Sequence, residues 1–337
     1  MTSSLVIQTS FLGDTVLTTP LIAELARRGP VDVVTTPASA TLLRNHPFVR
    51  SVIPYDKRGK DRGVLGFMRM AARLRRFSYE SAFMAQGSVR SAALALAARA
   101  RHRVGFATSA GRRFYNVRIE YHEDLHHAAR LLRLAVPASE IAGRDIRPRL
   151  YPGIPERYAV DRLLAFHEVA DDGPPLVALA PASVWATKRW PYYADLARLL
   201  RDRSRVVVLG APDDMALADE VRAAAGDGAF SAAGALTLLG SAELIRRCSV
   251  VVTNDSAPQH LASAVGTPTI AIFGPTVPQF GFGPLADGSV TMGLDALPCR
   301  PCDRHGPRRC PLRHWRCMRE IGADDVAARV FDILGPG

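Results

Sequence analysis

The sequence predicts an α/β protein built from two Rossmann-like domains, each a parallel sheet with helices on both faces. Three observations lead there. The chain has 337 residues, a length at which one hydrophobic core gives way to two. Short runs rich in Val and Ile, lacking polar alternation, recur between longer amphipathic stretches, as strands covered on both faces require. The rhythm pauses around Pro148 to Pro155 and then restarts, so two β/α units of similar size follow one another.

In the first half, Leu5 to Thr9 reads as a buried strand and Val16 to Arg27 as the helix after it. Val31 to Thr36, Ser51 to Pro54, Ser81 to Ala85 and His102 to Phe106 are the next strands, with helical segments at Val64 to Arg76 and Val89 to Arg99. In the second half, strands are expected at Pro175 to Pro181, Arg205 to Gly210, Val250 to Asn254 and Thr269 to Gly274. Helices are expected at Tyr192 to Arg201, Met215 to Ala225, Ala242 to Arg247 and Pro258 to Val265. The domains are therefore drawn as residues 1–155 and 174–337, with a linker near 156–173.

The beginning of the chain lacks a basic region followed by a long apolar run, and no stretch offers the ~18 apolar residues of a spanning helix. The expectation is a cytoplasmic protein without a membrane span. Formal net charge is +11, and residues 57–118 hold fifteen basic residues against Asp61 and Glu80, enough to account for the whole excess. A second basic cluster runs from Arg300 to Arg319. Such a field attracts polyanions, a phosphorylated glycolipid or an anionic membrane face among them, although an arginine-rich solvated surface is the plainer alternative. Nucleic acid is disfavoured, because the cluster lacks interleaved aromatics and any recognised binding motif.

Ligands of open parallel sheets bind beyond the carboxyl ends of the strands, which directs attention to five loops. SFLGD places Gly13 in a tight turn and Asp14 either as a helix cap or as a carboxylate free for chemistry, capping being the commoner role of such a residue. The loop lacks G-x-G-x-x-G, which counts against a nicotinamide- or flavin-dependent oxidoreductase. PASVWATKRWP offers the hydroxyls of Ser183 and Thr187 and the charge of Lys188 and Arg189 just before a helix, a fair cradle for a diphosphate. GAPDD follows the next strand. TNDSAPQH and FGPT come last; Asp255, Ser256 and the amides of the following helix can hold hydroxyls and phosphate oxygens, and His260 on that helix is counted among the donor contacts, with ordinary capping, and His260 as a satisfied core histidine, as the alternative.

Taken together and in this order, SFLGDTVLTTP (Ser10 to Pro20), KRWP (Lys188 to Pro191), GAPDD (Gly210 to Asp214) and NDSAPQHLASAVGTPTIAIFGPT (Asn254 to Thr276) resemble glycosyltransferase family 9, the ADP-heptose:lipopolysaccharide heptosyltransferases. NDSAPQH and the CPLRHWRCM tail look like the heptosyltransferase II branch. The resemblance implies a GT-B fold, two Rossmann domains facing across a cleft, the first holding the acceptor and the second the ADP-sugar. It makes Asp14 the catalytic base and Lys188 the group that contacts the departing diphosphate. Asp255 would help to hold the donor, with Ser183 near the phosphates, Asp214 near the adenosine and Leu236 against adenine. Val184 departs from relatives that carry threonine there. The implied reaction is inverting transfer of L-glycero-D-manno-heptose from ADP-heptose to a phosphorylated Kdo/heptose-lipid A acceptor at the inner membrane surface, without cofactor or divalent metal. A donor loop with a lysine and no D-x-D agrees. Arg69, Arg73 and Arg76 are the candidate acceptor contacts, so their charge reversal should weaken acceptor binding more than donor binding. A GT-B transferase of another nucleotide sugar or acceptor, and a nucleotide-sugar binding protein without turnover, are the alternatives.

Cys299, Cys302, Cys310 and Cys317 form C-x2-C-x7-C-x6-C within the basic segment 299–319, with Cys248 apart. A C-x2-C with two further cysteines is a zinc candidate, but the spacing matches no common ribbon or finger; reduced thiols or an oxidised pair are the other readings. No metal ligand is assigned.

Overall fold

The computed structural model describes residues 3–336, and the chain divides into two compact units, Met1–Tyr151 and Pro152–Gly337. In the first unit, strands β1 (Ser4–Gln8), β2 (Val31–Thr35), β3 (Ser51–Pro54), β4 (Ser81–Met84), β5 (His102–Phe106) and β6 (Val117–Ile119) form one sheet in the order β3-β2-β1-β4-β5-β6. Every pairing is parallel; Val6, for example, stands opposite Val33 on one side and Phe83 on the other. All residues of β1 and β2 are buried, as expected of strands with helices on both faces. The helices are α1 (Leu12–Leu17), α2 (Thr19–Ala26), α3 (Pro37–Leu42), α4 (Gly63–Arg75), α5 (Val89–Ala97) and α6 (His127–Leu132).

The single helix expected over Val16 to Arg27 is two helices. Pro20 lacks the N–H that would bond Val16 oxygen, so the helix breaks before it. The hydroxyl of Thr19 donates to Val16 oxygen instead (2.8 Å), and that of Thr18 donates to Asp14 oxygen (2.6 Å). Local side chains thus satisfy the carbonyls that the break exposes.

The second unit repeats the plan. Its strands β7 (Leu176–Ala180), β8 (Arg205–Val208), β9 (Phe230–Ser231), β10 (Val250–Asn254), β11 (Thr269–Ile272) and β12 (Val290–Met292) are ordered β12-β11-β10-β7-β8-β9. This is the first unit's order read from the other edge, again parallel throughout. Helices α7 (Ile154–Phe166), α8 (Tyr193–Leu200), α9 (Met215–Ala225), α10 (Leu238–Arg246), α11 (Ala257–Val265), α12 (Arg316–Arg319) and α13 (Ala323–Leu334) cover it. The core between the sheet and α8, α9 and α13 holds Leu179, Trp190, Leu196, Val221 and Val330. Residues 156–173, drawn as linker, are not one: α7 occupies most of them, its Val160 is buried, and the unit boundary falls at Tyr151–Pro152. In both sheets the order reverses between the first and fourth strands, the switch point where parallel sheets open a crevice.

Candidate functional site

In the first unit, β1 ends at Gln8 and α1 begins at Leu12, which places Asp14 in the first helical turn. One carboxylate oxygen of Asp14 accepts from the Phe11 N–H (3.3 Å), and the other faces Nε2 of His127 at 3.7 Å. Capping and presentation to a neighbour are therefore both true of this side chain. His127 opens α6, more than a hundred residues away in sequence. Beside α1 lies a cavity of about 420 Å³ over the ends of β1 to β4, lined by Thr9, Phe11, Thr36, Tyr55, Lys57, Arg58 and Gln86 among others. The Lys57 ammonium donates to Thr9 oxygen (2.7 Å) and Thr9 Oγ1 (3.1 Å). Burial, with repulsion from Arg58 and Arg90, holds its pKa below the ordinary lysine value. Arg69, Arg73 and Arg76 do not line this cavity; they lie on the outer part of α4.

The second unit brings its singled-out loops together at the ends of β7 and β10. Lys188, in a single 3-10 turn, is largely buried and donates to Asp255 Oδ2 at 2.6 Å and to the Asp255 carbonyl at 3.3 Å. Thr276 donates to the same carboxylate oxygen (2.7 Å), and Gln259 donates to the other (2.8 Å). Asp255 thus has both oxygens engaged and fixes the lysine. Asn254 locks the loop in place: its amide donates to Pro181 oxygen (2.9 Å) and its Oδ1 accepts from the Trp190 N–H (3.0 Å).

The remaining candidates have the following surroundings. Ser183 is buried, its Oγ accepting from the Trp185 N–H (3.4 Å), while Val184 is 86% exposed. Thr187 directs its hydroxyl proton to the Pro307 carbonyl. Ser256 precedes α11 without capping it and stands 3.3 Å from Thr253 Oγ1. His260 is buried in α11, edge-on to the Phe282 ring. Asp214 accepts from the Ala211 N–H (3.0 Å), closing its own turn before α9. Leu236 is half-buried just before Thr237, whose Oγ1 caps α10.

The cysteine segment packs on this site. Cys302 N–H donates to Pro275 oxygen, and the Arg300 guanidinium donates to the carbonyls of Phe273, Gly274 and Thr276. All five cysteines are free thiols. Burial, reinforced by neighbouring sulfurs, pushes the Cys317 thiol up to about 11 and raises that of Cys302. Among the described residues, no group of three or more His, Cys, Asp or Glu is arranged to hold a metal ion, and no helix is long and apolar enough to cross a membrane.

His127, Gln259, Asn254 and Thr276 were not singled out from the sequence for these roles. Three of them lie within the NDSAPQH and FGPT motifs; the partners of Asn254 and Thr276 are brought to them by chain reversal and that of Gln259 lies one helical turn away, while His127 has no local signal at all.

Residues 67–313 match the family described as glycosyltransferase family 9 (heptosyltransferase). The chain is 29% identical to lipopolysaccharide heptosyltransferase 1 of Pseudomonas aeruginosa, the match covering 88% of this chain and 85% of that one. It is also 29% identical to lipooligosaccharide heptosyltransferase 2 of Haemophilus influenzae, over 90% and 92%. Among solved structures, the ADP-heptose LPS heptosyltransferase II of Escherichia coli superposes with a TM-score of 0.79 at 25% identity, covering 99% of this chain and 98% of that one.

Proposed function

Since this chain belongs to glycosyltransferase family 9, the heptosyltransferases, we propose that it transfers L-glycero-D-manno-heptose from ADP-heptose, with inversion, to the inner core of lipopolysaccharide. The observation that carries the reading is the Lys188 ammonium held by the Asp255 carboxylate, which Thr276 and Gln259 fix in turn, at the switch point of the second sheet. A fixed cation there meets the negative charge that grows on ADP as the sugar–phosphate bond breaks. Ser183 and the amides opening α11 are the donor-side hydrogen bonders, with Ser256, Asp214 and Leu236 on the nucleotide-sugar side. Asp14 takes the proton of the attacking acceptor hydroxyl, and His127 keeps its carboxylate in place. The cavity beside α1 takes the acceptor sugar, with Lys57 and Arg58 for its anionic groups. The reaction needs no divalent metal, because Lys188 supplies the charge.

Heptosyltransferases 1 and 2 are matched at the same identity, so the branch rests on the NDSAPQH loop and the CPLRHWRCM tail, which favour addition of the second heptose. The acceptor is a phosphorylated Kdo/heptose-lipid A, presented at the cytoplasmic face of the inner membrane. The test is ADP release and product mass with ADP-heptose and acceptors ending either in Kdo or in the first heptose, with and without a chelator. Transfer to the heptose-ended acceptor alone, unchanged by chelator, is expected. Transfer only to Kdo overturns the branch, loss of activity on chelation overturns the metal-free mechanism, and no ADP release with either acceptor overturns the reading.

A further inference from the structure

Helix α4 leaves an unusual face uncovered. At about 100° per residue, Gly66, Met70, Ala71 and Leu74 point inward and are buried. Val64, Met68, Ala72 and Leu65 occupy the adjoining outward arc, followed by Arg76, Arg69 and Arg73. Val64, Leu65 and Met68 are 73%, 76% and 58% exposed, a cluster of large apolar side chains on a single helical turn. Arg69 is steadied by Asp61 at 3.7 Å and the Lys60 carbonyl at 2.7 Å, whereas the guanidiniums of Arg73 and Arg76 have no partner among the described residues. Arg75 is turned back onto the Ala97 carbonyl (2.7 Å). Residues 57–76 hold eight basic side chains and one acidic, Asp61.

We propose that this face of α4 docks on an anionic phospholipid bilayer, with Val64, Leu65 and Met68 entering the headgroup–acyl boundary and Arg73 and Arg76 pairing with lipid phosphates. The inference deepens the membrane partner named above and rests on that reading only for the acceptor's identity. Apolar tips beside unpaired guanidiniums match the two layers of a bilayer surface, hydrocarbon below and phosphate above. A sugar phosphate offers nothing to Val64, Leu65 and Met68. A second copy of the chain related by a two-fold axis would set the like-charged arginines against one another. Arg69, Arg73 and Arg76 then favour the acceptor through the membrane that anchors it, which accounts for their lying outside the cavity beside α1.

The test is co-sedimentation of the full chain with vesicles of phosphatidylcholine, with and without phosphatidylglycerol. Wild type should bind the phosphatidylglycerol vesicles at least about tenfold more tightly than the neutral ones. V64S/L65S/M68S and R73E/R76E should each lose about tenfold of that binding. Absence of wild-type binding, or retention of it by either variant, overturns the proposal. A deacylated, water-soluble acceptor separates membrane docking from chemistry: V64S/L65S/M68S should use it at the wild-type rate, and an equal loss there overturns the proposal. If sedimentation shows that this variant turns a dimer into a monomer, the face joins copies and the proposal falls. If wild type transfers sugar to neither acceptor but vesicle binding follows the pattern above, the catalytic reading fails and this surface stands.

Discussion

Asp255 holds three hydrogen-bond donors at once, one of them the ammonium of Lys188. Lys188 and Asp255 are both close to nine-tenths buried, so neither charge is tolerable without the other, and truncating one leaves an uncompensated charge. Under the proposed function their roles separate: Lys188 would meet the leaving group, and Asp255 would be a positioning residue acting through it. Lys188→Gln is expected to lower kcat by about 10² to 10³, the usual loss for one preorganised transition-state donor. Thr276→Val removes one of the three donors to Asp255 and should cost about tenfold in kcat with little change in donor KM. Steady-state kinetics check both, and a Lys188→Gln enzyme within tenfold of wild type would remove the electrostatic argument. The loops of Lys188 and Asp255 stood out in the sequence because each follows a buried apolar run, whereas Asp14, in the first turn of α1, was singled out by the family resemblance. Gln259, Thr276 and His127 were not, since the partner that defines each role lies elsewhere in the sequence or on the far side of a helical turn.

At the scale of elements, the irregular part of the cysteine segment before α12 lies against the stem of Lys188. Gly306 has φ +85°, and a Cβ there would come within 3.2 Å of Lys188 Cε and 3.3 Å of Thr187 Oγ1. Gly306→Ala therefore adds backbone strain of about 1 kcal/mol and pushes directly on the lysine stem. Gly226 at the end of α9 supplies the control, with the same φ but open space for a Cβ. Gly226→Ala should lower Tm alone, whereas Gly306→Ala should lower Tm and also kcat by about tenfold; equal kcat for the two variants would detach the segment from catalysis. The sequence singled out these cysteines for their spacing, and the structure gives the segment a packing role over the loop that carries Lys188. Other elements escaped sequence reading for simple reasons. Strands β6, β9 and β12 have three residues or fewer, too short for any periodicity to register. The α1–α2 break was signalled by Pro20, but apolar residues on both sides made one long helix the simpler pattern.

For the molecule as a whole, acid should weaken folding through the first unit. His46 is buried against the rings of Phe48 and Tyr151, its Nδ1 accepts from the Phe48 N–H (3.4 Å), and burial lowers its pKa to about 4. The folded value lies below that of the unfolded chain, so between roughly pH 6.5 and 4 the unfolded state binds more protons. Stability is then full above pH 6.5 and falls as pH drops toward 4, by up to about 3 kcal/mol. Denaturant unfolding followed across this range should show the decline, and His46→Leu should flatten it; an unchanged slope in that variant would assign the acid sensitivity to other groups.

The sequence by itself determined the doubled parallel α/β plan, because fully buried strands need unbroken apolar runs and those runs are local. It also determined the family, through four short loops in a fixed order. Tertiary structure alone decided which polar side chains share a carboxylate and where the second unit begins. It alone decided that the apolar tips of α4 stay uncovered. Burial and hydrogen-bond partnership depend on residues far apart in the chain, and no local pattern encodes the distance between them.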